Sequence, residues 1–315
     1  MVFYPQHKRG FLPIEAEEII DSHTHCGGVL VGNMLLGSYP YSQDTLDLIR
    51  KMRTHKVRYS ICFPFPINSE VTSFFTPQLY NNLIAREAYM LGRGSLLPFA
   101  FIRLDDTLQS QIIHLEELLK EYRFYGVKIY PPCDKYFICN EKVEVDLTSF
   151  LLLHDFPLVI HTSFNGFGNP MSLLQFAKKH KDVRISFAHA ARFDMDAFRI
   201  ICDLPNVFID CSPLNMLCAL MLNIEDKKRI PSNLFKFSNP KSVLHKLIEL
   251  LPNQLLWGTD SPSSFLTNFS ENAISTFSEK FTYESDMNIL RQLSDREIQL
   301  IAKSNPFRFL FGSSS

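Results

Sequence analysis

The sequence predicts an α/β protein, a (β/α)8 TIM barrel with long βα-loop insertions at its C-terminal face. Three observations carry that prediction. Eight short apolar, β-branched or aromatic runs recur along the chain, and most are separated by a segment of helical periodicity, the alternation that gives a parallel sheet with helical crossovers. The chain has 315 residues, more than the roughly 250 of a typical barrel but little for two full domains. No internal repeat, charge block or low-complexity tract breaks the pattern before the final Ser-Ser-Ser. We expect a single domain over residues 1–315, with the barrel core from about 18 to 310.

Taken in order, the strand candidates are Glu18 to His25, Tyr59 to Phe63, Leu97 to Ile102, Gly126 to Tyr130, Leu158 to His161, Arg184 to His189, Val207 to Cys211 and Leu255 to Asp260. Each is too short for an ordinary helix and too continuously apolar for a loop. The helical candidates between them are Gln43 to His55, Gln78 to Gly92, Thr107 to Phe124, Leu147 to His154, Pro170 to His180, Asp194 to Cys202 and Lys241 to Leu251, closed by the pair Met287 to Leu293 and Asp295 to Lys303. The extra length sits in Cys26 to Ser42, Pro64 to Thr76, Pro131 to Asp146, Pro213 to Pro240 and Ser261 to Ser285. These exceed the usual two to six residues of a βα connection. All follow a strand, so they crowd the face where such barrels place their active sites, as a lid that sets substrate choice.

Composition excludes several classes of partner. Lys plus Arg number 32 against 33 Asp plus Glu, so no charge excess points to nucleic acid or an anionic membrane. The first residues, Met1 to Arg9, lack the apolar run of a secretory signal, and no stretch reaches the ~18 consecutive apolar residues of a membrane span. A cytoplasmic protein acting on a small molecule is expected. The seven cysteines form no C-x-x-C pair and read as buried thiols in a reducing compartment. Cys26 follows His25 directly, but strand geometry turns it to the other face.

The first strand reads Ile19-Ile20-Asp21-Ser22-His23-Thr24-His25, and two-residue alternation places Asp21, His23 and His25 on one face. Two imidazoles one residue apart can grip one ion, and neutral imidazole suits Zn²⁺. Alone, the pair can equally be one core and one loop histidine. Three later strands also end on a metal-type residue: His161, His189 and Asp260. Polar groups at the C-terminal ends of different barrel strands converge on one point, which is how these barrels assemble catalytic sites.

In this order, the D-x-H-x-H strand, the histidines ending strands five and six and the Gly-Thr-Asp-Ser-Pro of strand eight resemble the amidohydrolase superfamily. Gly126-Val127-Lys128-Ile129-Tyr130-Pro131, Phe187-Ala188-His189-Ala190, Ile209-Asp210-Cys211-Ser212 and Asn305-Pro306-Phe307 resemble its amidohydrolase 2 branch, which includes hydrolases, lactonases and decarboxylases related to aminocarboxymuconate-semialdehyde decarboxylase. The resemblance runs from Ile19 to Leu310. It implies that His23, His25, His161 and Asp260 bind one divalent ion, Zn²⁺ with Mn²⁺ the alternative, while His189 lies beside the attacking water. Asp260 would take the water's proton, and His189 would stabilise charge on the substrate oxygen. Asp21 would orient a histidine by hydrogen bond, or serve simply as a carboxylate at the start of the strand.

Lys128 shares a strand face with Tyr130. A carboxylated lysine on strand four or five bridges two ions in other members of the superfamily, so a second ion is expected only if Lys128 is carboxylated. We expect it unmodified, which requires a carboxylate partner or a substrate anion. Arg192, three residues after His189, could meet a substrate carboxylate with a bidentate fork or pair with a surface acid. The expected reaction is hydrolysis of a small amide, lactone or ester by a metal-activated water. Non-oxidative decarboxylation by a lyase on the same ligands is the nearest alternative, and a barrel that binds a ligand without turnover a more distant one. A homodimer is the default assembly.

Overall fold

The apolar runs are short and covered on both faces, and in that setting they form strands rather than helices. They are β1 (Ile20–His25), β2 (Tyr59–Phe63), β3 (Leu96–Ile102), β4 (Gly126–Ile129), β5 (Leu158–Ile160), β6 (Ile185–Phe187), β7 (Val207–Asp210) and β8 (Leu255–Leu256). The strands pair in chain order, all parallel. The computed structural model describes residues 14, 17–26, 43–64, 76–164, 166–223, 234–262, 267–270, 273–276 and 281–312.

The helices packed around these strands are α1 (Thr45–His55), α2 (Pro77–Glu87), α3 (Leu108–Glu121), α4 (Pro131–Asp134), α5 (Glu141–His154), α6 (Pro170–Lys179), α7 (Met195–Ile201), α8 (Leu214–Asn223), α9 (Pro240–Leu250), α10 (Tyr283–Leu290), α11 (Asp295–Gln299) and α12 (Asn305–Phe311). Their starts are chemically marked. Asp44, Thr76, Asn169, Asp194 and Asn239 each accept a backbone N–H of the first turn, satisfying donors that a helix leaves unpaired. An apolar layer between strands and helices holds Leu48, Leu115, Leu147, Phe176 and Leu247, among others. Cys26 and Cys62 are buried in this layer, so Cys26 does turn away from the barrel interior.

A second apolar cluster fills the barrel floor. Phe309 of α12 stacks on Phe99 at 6.3 Å and meets Phe208 edge-on at 5.4 Å. Arg184 fastens this helix by donating to the carbonyls of Phe309 (2.8 Å) and Leu310 (3.1 Å). Gly126 makes room for the plug: a Cβ there would lie 2.4 Å from the Phe99 ring.

The barrel closes between β8 and β1 through an irregular seam. Ser22 N–H donates to Trp257 O (3.0 Å), His25 N–H to Ser261 O (2.8 Å) and Asp260 N–H to His23 O (2.7 Å). A parallel bridge links Thr24 and Ser261. The eighth strand was expected to run to Asp260, but the regular ladder stops at Leu256. Beyond it the backbone turns, and Asp260 sits at φ +53°, a left-handed conformation that aspartate tolerates better than most residues.

Three expected loops carry structure of their own. Residues 131–146 hold α4 and the start of α5, and residues 213–240 hold α8. Residues 261–285 contain an antiparallel hairpin, β9 (Thr267–Ser270) with β10 (Ala273–Thr276), and the start of α10. The expected loops at 27–42 and 65–75 lie outside the described residues. Among the described residues, no helix is long and apolar enough to cross a membrane.

Candidate metal centre

The seam places β1 and the end of β8 side by side, which brings His23, His25 and Asp260 together. Gly258 permits the approach, since a Cβ there would lie 3.0 Å from His23. One donor atom from each of the three residues lies within 4.8 Å of the others, and all three side chains are buried. Asp260 Oδ1 is 3.0 Å from His25 Nε2 and 3.2 Å from His23 Nε2.

The ring partners decide what those nitrogens can do. His23 Nδ1 is 2.8 Å from Asp210 Oδ2, so Nδ1 carries a proton and donates it to a carboxylate. His25 Nδ1 is 3.3 Å from the carbonyl of Pro64 and donates there. In the neutral rings, both Nε2 atoms then hold lone pairs, and both face the same carboxylate oxygen. Three acceptors aimed at one another repel unless a cation sits among them. His23 Nε2 accordingly makes no hydrogen bond although it is buried. The residues therefore fit a divalent ion: two imidazoles and a carboxylate, with a second carboxylate behind the first imidazole to fix its tautomer.

The electrostatics agree. Burial opposes protonation of His23, but Asp210 and Asp260 outweigh it and hold its pKa above the ordinary histidine value. Burial also opposes ionisation of Asp210, yet His23 pulls its carboxyl down to about 2. Asp260 is likewise held well below the usual range against its burial, chiefly by His23 and then by His25. The surroundings favour a positive charge at this point, and a proton or a metal ion satisfies the same demand.

His161, expected as a fourth ligand, lies outside this close group. Its Nδ1 is 2.9 Å from His189 Nε2, its ring stacks on Tyr130 at 4.5 Å, and its Nε2 is 3.5 Å from Arg192 Nη2. His189 Nδ1 is 2.8 Å from Ser212 O and 3.8 Å from Asp260 Oδ2. The partners again set the tautomers: His189 donates from Nδ1 to Ser212 and accepts at Nε2 from His161. Burial drives the pKa of His189 down to about 3 and that of His161 well below normal, so both rings are neutral at physiological pH.

His189 and Arg192 reach the site from one strained turn. All five residues from His189 to Phe193 have positive φ, between 43° and 59°, and none is glycine. Left-handed backbone costs such residues about 1–2 kcal/mol each, strain of the kind that functional sites store.

Asp21 bonds a histidine, but through the backbone and not the ring: it accepts from the backbone N–H of His23 (3.2 Å), the N–H of Thr259 (3.0 Å) and the Thr259 hydroxyl (2.8 Å). It clamps the seam. The carboxylate that orients an imidazole is Asp210, which also accepts from the backbone N–H of Ser212 at 3.0 Å and from the Ser212 hydroxyl. Sequence reasoning assigned Asp210 no role, although it too ends a strand. Lys128 is fully buried, its Nζ over the rings of Phe63 (4.7 Å) and Tyr130 (4.9 Å). Burial lowers its pKa to about 8, with Asp210 and Asp260 limiting the fall.

Comparison with known proteins now decides the family: a model described as Amidohydrolase, of the amidohydrolase 2 branch, matches residues 20–312. The chain belongs to the amidohydrolase family. Solved structures share the amidohydrolase fold at low identity. A probable 2-pyrone-4,6-dicarboxylic acid hydrolase from Acinetobacter baumannii is 17% identical, covering 94% of this chain and 100% of its own, with a TM-score of 0.60. The 4-oxalomesaconate hydratase of Rhodopseudomonas palustris is 15% identical over 93% of this chain and 95% of its own, with a TM-score of 0.60. An amidohydrolase from Burkholderia multivorans is 16% identical over 93% and 99%, with a TM-score of 0.55. No curated protein sequence matches this amidohydrolase closely enough to count as a relative.

Proposed function

We propose that this amidohydrolase is a metal-dependent hydrolase that cleaves a small carbonyl compound, an amide, lactone or ester, with water. The observation that supports this most is the convergence of His23 Nε2, His25 Nε2 and Asp260 Oδ1, three buried acceptors whose mutual repulsion calls for a cation. His23, His25 and Asp260 would hold one divalent ion, Zn²⁺ by preference for the imidazole-rich set, with Mn²⁺ the alternative. When bound, the ion supplies Lewis-acid charge that lowers the pKa of water towards neutrality.

The remaining work falls to side chains. Asp260 turns Oδ1 to the two imidazoles, so Oδ2 is the oxygen left to take the water's proton and return it to the leaving atom. His189 lies beside that oxygen, 3.8 Å away, held in place by its own bonds to Ser212 O and His161. Asp210 keeps the His23 proton on Nδ1 and so keeps Nε2 available as a ligand. We place the enzyme in the cytoplasm, where seven unbridged thiols stay reduced, acting on a small molecule and assembling as a homodimer.

The test is a panel of small amides, lactones and esters followed for acid release, with CO2 measured in parallel. Acid release should depend on added metal and fall by about 10²–10⁴-fold in Asp260→Asn. CO2 release without hydrolysis would replace this reading with decarboxylation. Full activity in Asp260→Asn would sink the mechanism.

A further inference from the structure

Asp260 lies beyond Leu256, the last ladder residue of β8, so something other than regular sheet pairing fixes where its carboxylate goes. Single backbone bonds with β1 hold part of the stretch between them. The rest of the hold comes from the end of the chain.

Between α11 and α12 the backbone makes a π-helical turn, Leu300–Ser304. Its bonding leaves one carbonyl over. The N–H of Asn305 reaches back to Leu300 O and passes over Ile301, and the next residue, Pro306, has no N–H to offer. Released from the helix, Ile301 O accepts from Trp257 N–H at 2.9 Å. In an ordinary α-helix that carbonyl would be taken, and the buried Trp257 would be left with an unpaired donor.

The side chain of Asn305 grips the same stretch at its start. Its Nδ2 donates to Pro252 O and Leu255 O, both at 2.9 Å. The residue is buried, and its Oδ1 has no hydrogen-bond partner. That orientation is forced, since a flipped amide would set Oδ1 against two carbonyls. Both grips start where α12 begins, and α12 is itself anchored in the floor by Phe309 and by Arg184.

We infer that Asn305 and the π turn before it brace the candidate metal centre: they position the backbone from Leu255 to Trp257 and, through it, the carboxylate of Asp260. Asn305 is then a positioning residue that acts through Asp260. This rests on the reading of His23, His25 and Asp260 as metal ligands. Gly258 and the left-handed Asp260 follow Trp257 closely, with no regular ladder to absorb a shift. A displacement at Trp257 therefore carries through to Asp260 Oδ1, which sits 3.2 Å from His23 Nε2 and 3.0 Å from His25 Nε2. Ligand sets of this kind tolerate errors of only about 0.5 Å.

The experiment compares wild-type protein with Asn305→Ala, Asn305→Ser and Phe309→Leu. Three quantities are measured: Zn²⁺ affinity by chelator competition, amide hydrogen exchange over residues 257–260 relative to β4, and the urea midpoint. Phe309→Leu loosens the same helix at the floor without touching the brace, and so reports lost stability alone. Asn305→Ala should weaken Zn²⁺ binding by about 10-fold and speed exchange over residues 257–260 relative to β4. Asn305→Ser keeps a hydroxyl donor and should fall between Asn305→Ala and wild type. Phe309→Leu should lower the urea midpoint while Zn²⁺ affinity and relative exchange stay as in wild type. If Asn305→Ala does not fold, Asn305→Ser against Phe309→Leu decides. Wild-type Zn²⁺ affinity in the Asn305 variants overturns the inference. So does an equal loss of affinity in Phe309→Leu, because the brace would then act only through stability. Wild-type protein that takes up neither Zn²⁺ nor Mn²⁺ overturns the metal reading and the inference with it, a result distinct from both.

Discussion

Asp210 explains why His23 can serve as a ligand at all. By accepting the Nδ1 proton at 2.8 Å it confines the lone pair to Nε2, the atom that faces Asp260. An amide in its place could present either N–H or C=O to the ring and would no longer impose that tautomer. Asp210→Asn is therefore expected to weaken metal affinity by about 10–100-fold while leaving the fold intact, which a competitive chelator titration would measure; unchanged affinity would assign the site to other ligands. His23, His25 and Asp260 were legible because metal-type residues recur towards the C-terminal end of an apolar run, in β1 or just beyond β8. Asp210 ends a strand as well, but its role depends on which ring nitrogen it meets, and no spacing rule encodes that. Lys128 makes the converse point. Replacing its buried ammonium with a methionine of similar volume should leave stability unchanged or raise it by about 1–4 kcal/mol, read as a higher denaturant midpoint; a marked loss would mean the charge is structurally paired.

At the scale of elements, strands two to seven were readable in place and order, the sixth being shorter than expected (Ile185–Phe187), because apolar runs buried on both faces leave few other options. The β8–β1 seam was not. Its ladder ends after Leu255–Leu256, and closure then depends on single hydrogen bonds from Ser22, His25 and Asp260 that have no periodic signature. The turn from His189 to Phe193 was equally hidden: Ala-Ala-Arg carries no glycine to announce five consecutive left-handed residues. Helix α8 and the hairpin of β9 and β10 lie in stretches whose only signal was length. Gly126 gives the element scale a direct test. Gly126→Ala drives a methyl into the Phe99 ring and should cost about 1–3 kcal/mol, measured by urea denaturation. Adding Phe99→Leu should recover part of that loss, a coupling expected of residues in contact. Additive effects would show that the floor does not pack around this glycine.

For the whole molecule, the C-terminal ends of the strands carry a dense set of buried ionisable groups, and stability should depend on pH through them. Asp286 on α10 is the clearest case outside the candidate metal ligands. Burial raises its pKa from 3.8 to about 8, against its hydrogen bonds with the backbone N–H of Asn215 and the Asn215 side chain. The folded pKa exceeds the unfolded one, so the stability associated with the protonated acid is fully present below about pH 4 and is lost as pH rises through about 8. Asp286→Asn keeps an oxygen for Asn215 and removes the titration. Its thermal midpoint should match wild type near pH 4 and exceed it near pH 9; parallel profiles for the two proteins would show that Asp286 is ionised throughout.

The barrel seam sets two imidazoles of β1 against a carboxylate just beyond β8, and the proposed function requires a metal ion between them. Elemental analysis of protein purified without added metal, compared with His25→Ala, tests that claim most directly. One divalent ion per chain is expected in the wild type, lost in His25→Ala with the fold retained. Wild-type protein that contains no ion, and whose melting temperature is unmoved by Zn²⁺ or Mn²⁺, would contradict it.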